Sequence, residues 1–250
     1  MEKGEAYMRF YLSFELEKKS FPLDYRRIIL SFIKKALSEI LDGRYYDRYF
    51  KDVIQKDFSF SVKFPCNSKF TKDEIILGED TIKVLFTCDD RQKTGLLLQQ
   101  AFNKQKHKKF AIPNYNSITL KNIQQQKSQK IINSKVIFKT YGLCVREHNR
   151  ETNKDIHYVY NDEKFNEQLS IVLNNQLSKS GFSKDMIDSV KFTPLNCKKV
   201  LSRHYNTFVD TTVGTFLLEG HPFVLQHVYN VGFGSRNSMF GYLDLVTQYL

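Results

Sequence analysis

The sequence predicts an α+β fold in which a βαββαβ plan occurs twice in tandem, and three observations carry that expectation. Stretches of strict apolar/polar alternation, the period of a half-buried strand, are interrupted by segments with the 3.6-residue period of an amphipathic helix. Read in order, these segments run strand, helix, strand, strand, helix, strand, which is the ferredoxin-like (RRM-like) module, and the second half repeats the order. The chain is also large enough and apolar enough for two cores: 250 residues, 41% hydrophobic and 14% aromatic, with only 5 prolines. The expected modules are residues 1–130 and 131–250.

Each element has its own local signal. From Met8 to Leu16, Phe10, Leu12, Phe14 and Leu16 alternate with Arg9, Tyr11, Ser13 and Glu15, a first strand. Pro22 and Asp24 introduce a helix with Ile28, Ile29, Phe32, Ile33, Ala36, Leu37 and Ile40 on one face, and Gly43 ends it. A polar, aromatic segment follows from Arg44 to Lys56, and Phe58, Phe60, Val62 and Phe64 alternate through a second strand. Glu74–Leu77 and Thr81–Cys88 flank Gly78-Glu79-Asp80 and read as a hairpin, and Asp89 is the expected cap of a helix from about Arg91 to Gln105. Strands near Ile118–Gln126 and Val136–Thr140 complete this half.

The second half predicts strand near Leu143 and at His157–Tyr160, then a helix from Asp162 to Leu177 with Phe165, Leu169, Val172, Leu173 and Leu177 on one face. Two long strands, Val190–Val200 and Phe208–Leu218, precede a helix opened by Gly220-His221-Pro222, and Tyr242–Val246 is a last strand. No apolar run approaches the ~20 residues of a membrane span, and the opening residues are too polar for a secretion signal. Cys66, Cys88, Cys144 and Cys197 have no paired spacing; buried, reduced thiols in a cytoplasmic protein are expected, with no metal and no cofactor.

Charge narrows the function. The formal net charge is +11, and between Arg91 and Arg146 the chain has no Asp or Glu but carries Arg91, Lys93, Lys104, Lys106, Lys108, Lys109, Lys121, Lys127, Lys130, Lys135, Lys139 and Arg146. A one-sign stretch repels itself, so a polyanionic partner rationalises it better than a solvated basic face does. The sharpest local feature is Val231-Gly232-Phe233-Gly234-Ser235-Arg236-Asn237-Ser238. It follows a helix and precedes a strand, the reverse of a dinucleotide-binding loop, and it lacks the Gly-Lys-Ser/Thr ending of a P-loop. What remains is a loop in which Gly232 and Gly234 allow close backbone approach while Ser235, Arg236, Asn237 and Ser238 supply donors for phosphate or RNA; a turn that serves packing only is the alternative.

These residues resemble the CRISPR-associated repeat-processing endoribonucleases of the repeat-associated mysterious protein superfamily. The similarity rests on Gly214-Thr215-Phe216 through Gly220, on Val231 to Ser238, on Leu143-Cys144-Val145-Arg146 with His148-Asn149-Arg150, and on Met8-Arg9-Phe10 with Pro22-Leu23-Asp24-Tyr25. The resemblance implies tandem ferredoxin-like modules, CRISPR repeat RNA as partner, and metal-independent cleavage into guide RNAs. Other effector subunits and a second copy of the chain are further candidate partners, with no membrane. It also aligns Met8 with the usual start and leaves Met1–Tyr7 as an extension.

Cleavage without a metal requires a base for the 2′-OH, an acid for the leaving 5′ oxygen, and positive charge on the phosphorane, and leaves a 2′,3′-cyclic phosphate and a 5′-OH. The family often places a histidine after the first helix; here that position falls at or beside Phe50, and no histidine precedes His107. Either Lys34, Tyr49, Lys51 and Lys56 carry the reaction, or the protein binds RNA and cleaves it weakly or not at all. Arg236 is the first candidate for phosphate, since a guanidinium grips it at two points; Arg26, Arg27, Arg146 and His148 are further candidate RNA contacts.

Overall fold

The structure, a computed structural model, describes residues 7–51, 55–89, 93–205 and 207–249. Of the expected extension Met1–Tyr7, Met1–Ala6 lie outside the described residues, as does the expected helix start at Arg91, while Tyr7 begins the first strand. The chain divides into two compact units: one comprises residues up to Lys56, Phe60–Ser128 and Arg203–Asn206, and the other Asp57–Ser59, Gln129–Ser202 and Thr207–Leu250.

In the first unit the elements are β1 (Tyr7–Leu16), β2 (Ser20–Pro22), α1 (Tyr25–Ser38), α2 (Arg44–Phe50), β3 (Phe58–Lys63, of which Phe58 and Ser59 count with the second unit), β4 (Lys69–Phe70), β5 (Glu74–Ile76), β6 (Thr81–Asp89), α3 (Thr94–Gln105), β7 (Lys109–Ile112) and β8 (Asn116–Gln126). The main sheet has the order β3-β6-β1-β8-β7, with β1 antiparallel to both β6 and β8. Leaving aside β7, this is the 2-3-1-4 order of a ferredoxin-like module. Because strand side chains alternate, the pattern on β1 buries Phe10, Leu12, Phe14 and Leu16 together. Phe14 meets Phe32 of α1 edge-on at 5.0 Å, and Phe102 of α3 stacks on Phe32 at 6.2 Å, so both helices cover one face of the sheet.

Three local expectations change. Glu74–Leu77 does not form a hairpin with Thr81–Cys88: β5 pairs with β2 and β4 in a small separate sheet, while β6 pairs with β1. Leu77 N–H donates to Lys19 O, a pairing that buries Ile75 completely, and burial outweighs the turn signal at Gly78-Glu79-Asp80. The polar, aromatic segment is in part the helix α2, entered through a 3-10 turn at Leu41–Gly43. The acid-free stretch is not left to repel itself either. Lys108 pairs with Glu39, Lys109 with Glu17, Lys121 with Glu15 and Lys135 with Glu219, all carboxylates from outside the stretch and within 2.8–3.3 Å. The linear charge pattern therefore overstates the need for an external polyanion, although the net +11 stands.

The second unit holds β9 (Lys135–Leu143), β10 (Val145–Asn149), β11 (Lys154–Tyr158), α4 (Phe165–Ser178), α5 (Lys184–Asp188), β12 (Lys191–His204), β13 (Thr207–Glu219), α6 (Pro222–Val231), α7 (Asn237–Phe240) and β14 (Leu243–Tyr249). Its sheet order, β12-β13-β9-β14, is again 2-3-1-4, and β10 and β11 form a two-stranded hairpin of their own. Phe138, Phe216, Leu218, Leu173, Leu177, Val224 and Leu225 are among the residues of one buried cluster between this sheet and its helices. His221 caps α6 by accepting the Phe223 N–H, a structural role suited to a residue just before Pro222.

No helix among the described residues is long and apolar enough to cross a membrane. Cys88 and Cys144 are buried and Cys197 is half-buried, but Cys66 is exposed, contrary to the expectation of four buried thiols.

Candidate functional site

Two clusters of candidate residues form, one in each unit. In the first, α1 and α2 converge on Phe50. A helix places successive side chains about 100° apart, so Tyr49 turns inward while the next ring, Phe50, remains half-buried at the surface. Lys34 Nζ, from α1, lies 5.0 Å from the centre of the Phe50 ring, and Lys56 Nζ lies 5.4 Å from it. Two ammonium groups thus share one aromatic ring, whose electron-rich face attracts cations. Burial pushes the Lys56 pKa below the usual lysine range, and the positive charge of Lys34 pushes it further.

The other two proposed catalytic side chains stand apart from this ring-sharing pair. Tyr49 is 2% exposed, and its hydroxyl shares a 2.7 Å hydrogen bond with Thr94 Oγ1, so it anchors α2 to α3 instead of facing a substrate. Lys51 is exposed and lies 4.0 Å from Asp47 one helical turn back. Arg26, expected to contact RNA, is 6% exposed and stacks over Tyr25 at 4.6 Å. Arg27 remains exposed, 3.8 Å from Asp24 and 5.3 Å from the Tyr205 ring centre.

The second cluster is built by the β10–β11 hairpin and the glycine-rich segment. Arg146 and His148 lie two apart on β10, and Asp155 and His157 lie two apart on β11. The register pairs Arg146 with His157 and His148 with Asp155, so all four share one face. The Asp155 carboxylate accepts from Arg146 Nη1 at 3.1 and 3.2 Å and from Arg236 Nη2 at 3.0 Å, and lies 2.8 Å from His148 Nδ1. Burial opposes ionisation of Asp155, but the hydrogen bonds from His148 and Arg146 and the charges of Arg146 and Arg236 outweigh it and hold its pKa below the ordinary aspartate range. Burial, with Arg236 and Arg146, pushes the His157 pKa down despite the opposing charge of Asp155.

The glycine-rich segment reaches this cluster because it is packed inward. Gly232 and Gly234 both have φ of +91°; a side chain on Gly234 would begin 2.8 Å from Cys144 O and 2.5 Å from Leu143 Cδ1, and one on Gly232 would begin 2.8 Å from Ser59. Ser235 N–H donates to Cys144 O at 2.8 Å, and Ser235 Oγ accepts the Arg146 backbone N–H. Only Ser235 and Arg236 come partway to the surface. Asn237 and Ser238, expected as phosphate donors, are 5% and 8% exposed, and Asn237 spends its side-chain amide on Val231 O and its carbonyl on Ser59 Oγ. They brace the turn, as do the two glycines, so within this segment the packing alternative describes all but Ser235 and Arg236.

Sequence reading missed Asp155 and His157. The alternation of β11 and the proximity of Arg146 in a hairpin register were the available signals, but the partner Arg236 is 81 residues away in sequence. Among the described residues, no group of three or more His, Cys, Asp or Glu is placed to hold a metal ion.

Residues 123–245 match the protein family described as CRISPR associated protein Cas6, C-terminal. Over those residues, just under half of the chain, the sequence is similar to the Cas6 family. Solved structures agree with the fold over nearly the whole chain. One described as a RAMP protein binding different RNA substrates is 19% identical, with a TM-score of 0.81 over 96% of this chain and 100% of its own. A Cas6-related protein from Pyrococcus furiosus is 17% identical, with a TM-score of 0.81 over 97% of this chain and 100% of its own. A further structure, described as CRISPR associated protein Cas6, is 17% identical with a TM-score of 0.73 over 96% of this chain and 100% of its own. No curated protein matches the chain by sequence. The Asp155 cluster lies within the Cas6 C-terminal match, whereas Lys34, Phe50 and Lys56 precede it.

Proposed function

We propose that the protein binds CRISPR repeat RNA and cleaves precursor transcripts by attack of a ribose 2′-OH on the adjacent phosphate. The observation that carries the reading is the lysine pair at Phe50. Lys34 supplies an ammonium to stabilise the phosphorane, and Lys56 has its pKa pushed down by burial and the neighbouring Lys34 charge, so a larger fraction is neutral near physiological pH than for a solvated lysine. Neutral Lys56 Nζ takes the 2′ proton as the O2′–P bond forms. The P–O5′ bond then breaks, and the Lys34 ammonium supplies the proton that makes the 5′-OH. Exchange with water resets both groups, and the other product is a 2′,3′-cyclic phosphate.

Support for the substrate class comes from the Cas6 family match and from the net +11 charge. Arg146, Arg236, His148 and Ser235 are the RNA contacts retained from the glycine-rich segment and the β10–β11 hairpin, with Arg27 a further contact from α1.

The test is repeat RNA incubated with purified protein in EDTA. Cleavage with a cyclic-phosphate end, abolished by a single 2′-deoxy at the scissile nucleotide, is expected; cutting of the deoxy substrate overturns the mechanism. A second reading, RNA binding without turnover, is favoured by the burial of the Tyr49 hydroxyl against Thr94, which withdraws that phenol from the lysine pair. Tight binding with no cut at substoichiometric protein would select it.

A further inference from the structure

The cation cluster on the second unit contains an acid that bulk electrostatics would omit from an RNA-binding face. Asp155 lies among Arg146, Arg236 and His148, and a carboxylate near a phosphate repels it. Two explanations compete. Asp155 either competes with phosphate for the arginines, or it holds them so that phosphate meets them already arranged.

Three features favour the second. The backbone is pinned first: Ser235 N–H on Cys144 O and Arg146 N–H on Ser235 Oγ fix the start of the Arg236 turn against the start of β10, and Arg236 itself holds the left-handed conformation, φ +52°. What the backbone leaves undetermined is where two long side chains point, and Asp155 settles that by taking a nitrogen from each guanidinium. Second, one carboxylate against two guanidiniums leaves one positive charge over, so the cluster still attracts an anion. His157 is pushed toward its neutral form first by burial, and Arg236 and Arg146 add to that against Asp155 and Asp210. Third, ordering rotamer-rich side chains before the ligand arrives removes that loss from the binding step.

We infer that Asp155 is a positioning residue: it gathers Arg146 and Arg236 into a two-guanidinium seat for a single RNA phosphate. The inference rests on the RNA-binding reading above.

The sign of one substitution separates the explanations. Asp155→Asn makes the protein more positive. If Asp155 only competes, affinity for repeat RNA rises about threefold, the scale of one unit charge some 6 Å away at water-like dielectric. If it positions, affinity falls about 10-fold despite the added charge, and the salt slope flattens by about 0.7, the loss of one contact on a single strand. In an Arg146→Ala, Arg236→Ala background the same substitution then no longer weakens binding. A general structural role is checked by the thermal midpoint of D155N, which stays within a few degrees of wild type if the effect is local.

Should D155N fold poorly, Arg236→Lys serves independently. Lysine keeps the charge but loses the planar fork, so positioning predicts that R236K loses as much affinity as R236A, whereas simple charge attraction predicts near wild-type binding. Tighter RNA binding by D155N, or full binding by R236K, overturns the inference and leaves the RNA-binding reading standing. Absence of RNA binding by the wild type would instead overturn that reading.

Discussion

The two units hold their cations in opposite ways. In the first, Lys34 and Lys56 share the Phe50 ring, and burial, with the charge of Lys34, pushes Lys56 toward its neutral form. In the second, Arg146 and Arg236 share a carboxylate, which keeps Asp155 ionised and fixes the guanidiniums. An aromatic ring attracts a cation without taking its proton or filling its donors geometrically, whereas a carboxylate specifies direction. The first arrangement suits a group that must exchange a proton, and the second suits a group that must be in one place. Arginine could not serve at the ring, since its pKa keeps it charged at every accessible pH.

The largest effect that would break this contrast is at Lys56. Lys56→Ala is expected to lower the single-turnover cleavage rate about 10²–10³-fold, the scale for removing one group that acts at the transition state, while RNA affinity changes little. Lys56→Arg sharpens the point: charge is kept, but the rate is expected to stay low and to lose its rise with pH. In the wild type that rise levels off below the usual lysine range, because the Lys56 pKa is lowered. A K56R variant that retains wild-type rate and pH profile would make Lys56 a charge like those of the second unit.

How much of this was legible in sequence differs between the units for a physical reason. Alternation on β1 and the apolar face of α1 are local patterns, and they identified strand, helix and core residues such as Phe14 and Phe32 before any contact was known. The repeated order of elements then implied the 2-3-1-4 sheets. Pairing partners are not local, so the sequence pattern pairs β5 with the wrong neighbour, and a short helix such as α7 has too few turns to show a period. At the candidate sites, residue type pointed to Lys34, Lys56, Arg146, His148 and Arg236, which the fold brings into two clusters. Orientation was out of reach: whether Tyr49 or Phe50 faces out depends on the phase of α2, a helix not anticipated. Asp155 was missed because an acid beside cations reads as charge dilution until the hairpin register and Arg236 bring it to their centre.

Next in size is the packing that delivers Arg236 to its carboxylate. Gly234→Ala adds a methyl at a φ of +91° against Cys144 O and Leu143, and about 1–3 kcal/mol of stability is expected to be lost. Urea unfolding followed by circular dichroism measures it, and salt-dependent RNA binding of the folded fraction is expected to weaken as Arg236 is displaced. A neutral result would mean that the segment relaxes easily and that its inward packing does not set the arginine. Phe50→Ala is expected to be milder, about 10-fold in rate, since each cation–π contact at a partly exposed site contributes about 0.5–1 kcal/mol.

The smallest effects lie in the pH dependence of stability, where the two devices act at opposite ends of the scale. Asp155 has a folded pKa below its unfolded value, so between the two the unfolded chain binds more protons. Its stabilisation is complete above the unfolded pKa, near 3.9, and is lost as pH falls through the folded value. Asp155→Asn is therefore expected to lessen the loss of stability on acidification below about pH 4. Lys56 also has a lowered folded pKa, but it is a base. The charged form is the one disfavoured by folding, so stability rises with pH from the folded pKa up to the ordinary value near 10.4. Lys56→Met, which keeps the stem and removes the charge, is expected to raise stability at neutral pH and to remove that alkaline rise. Denaturant midpoints across the pH range test both, and a K56M profile parallel to wild type would show that the ring and the neighbouring lysine leave Lys56 an ordinary solvated cation.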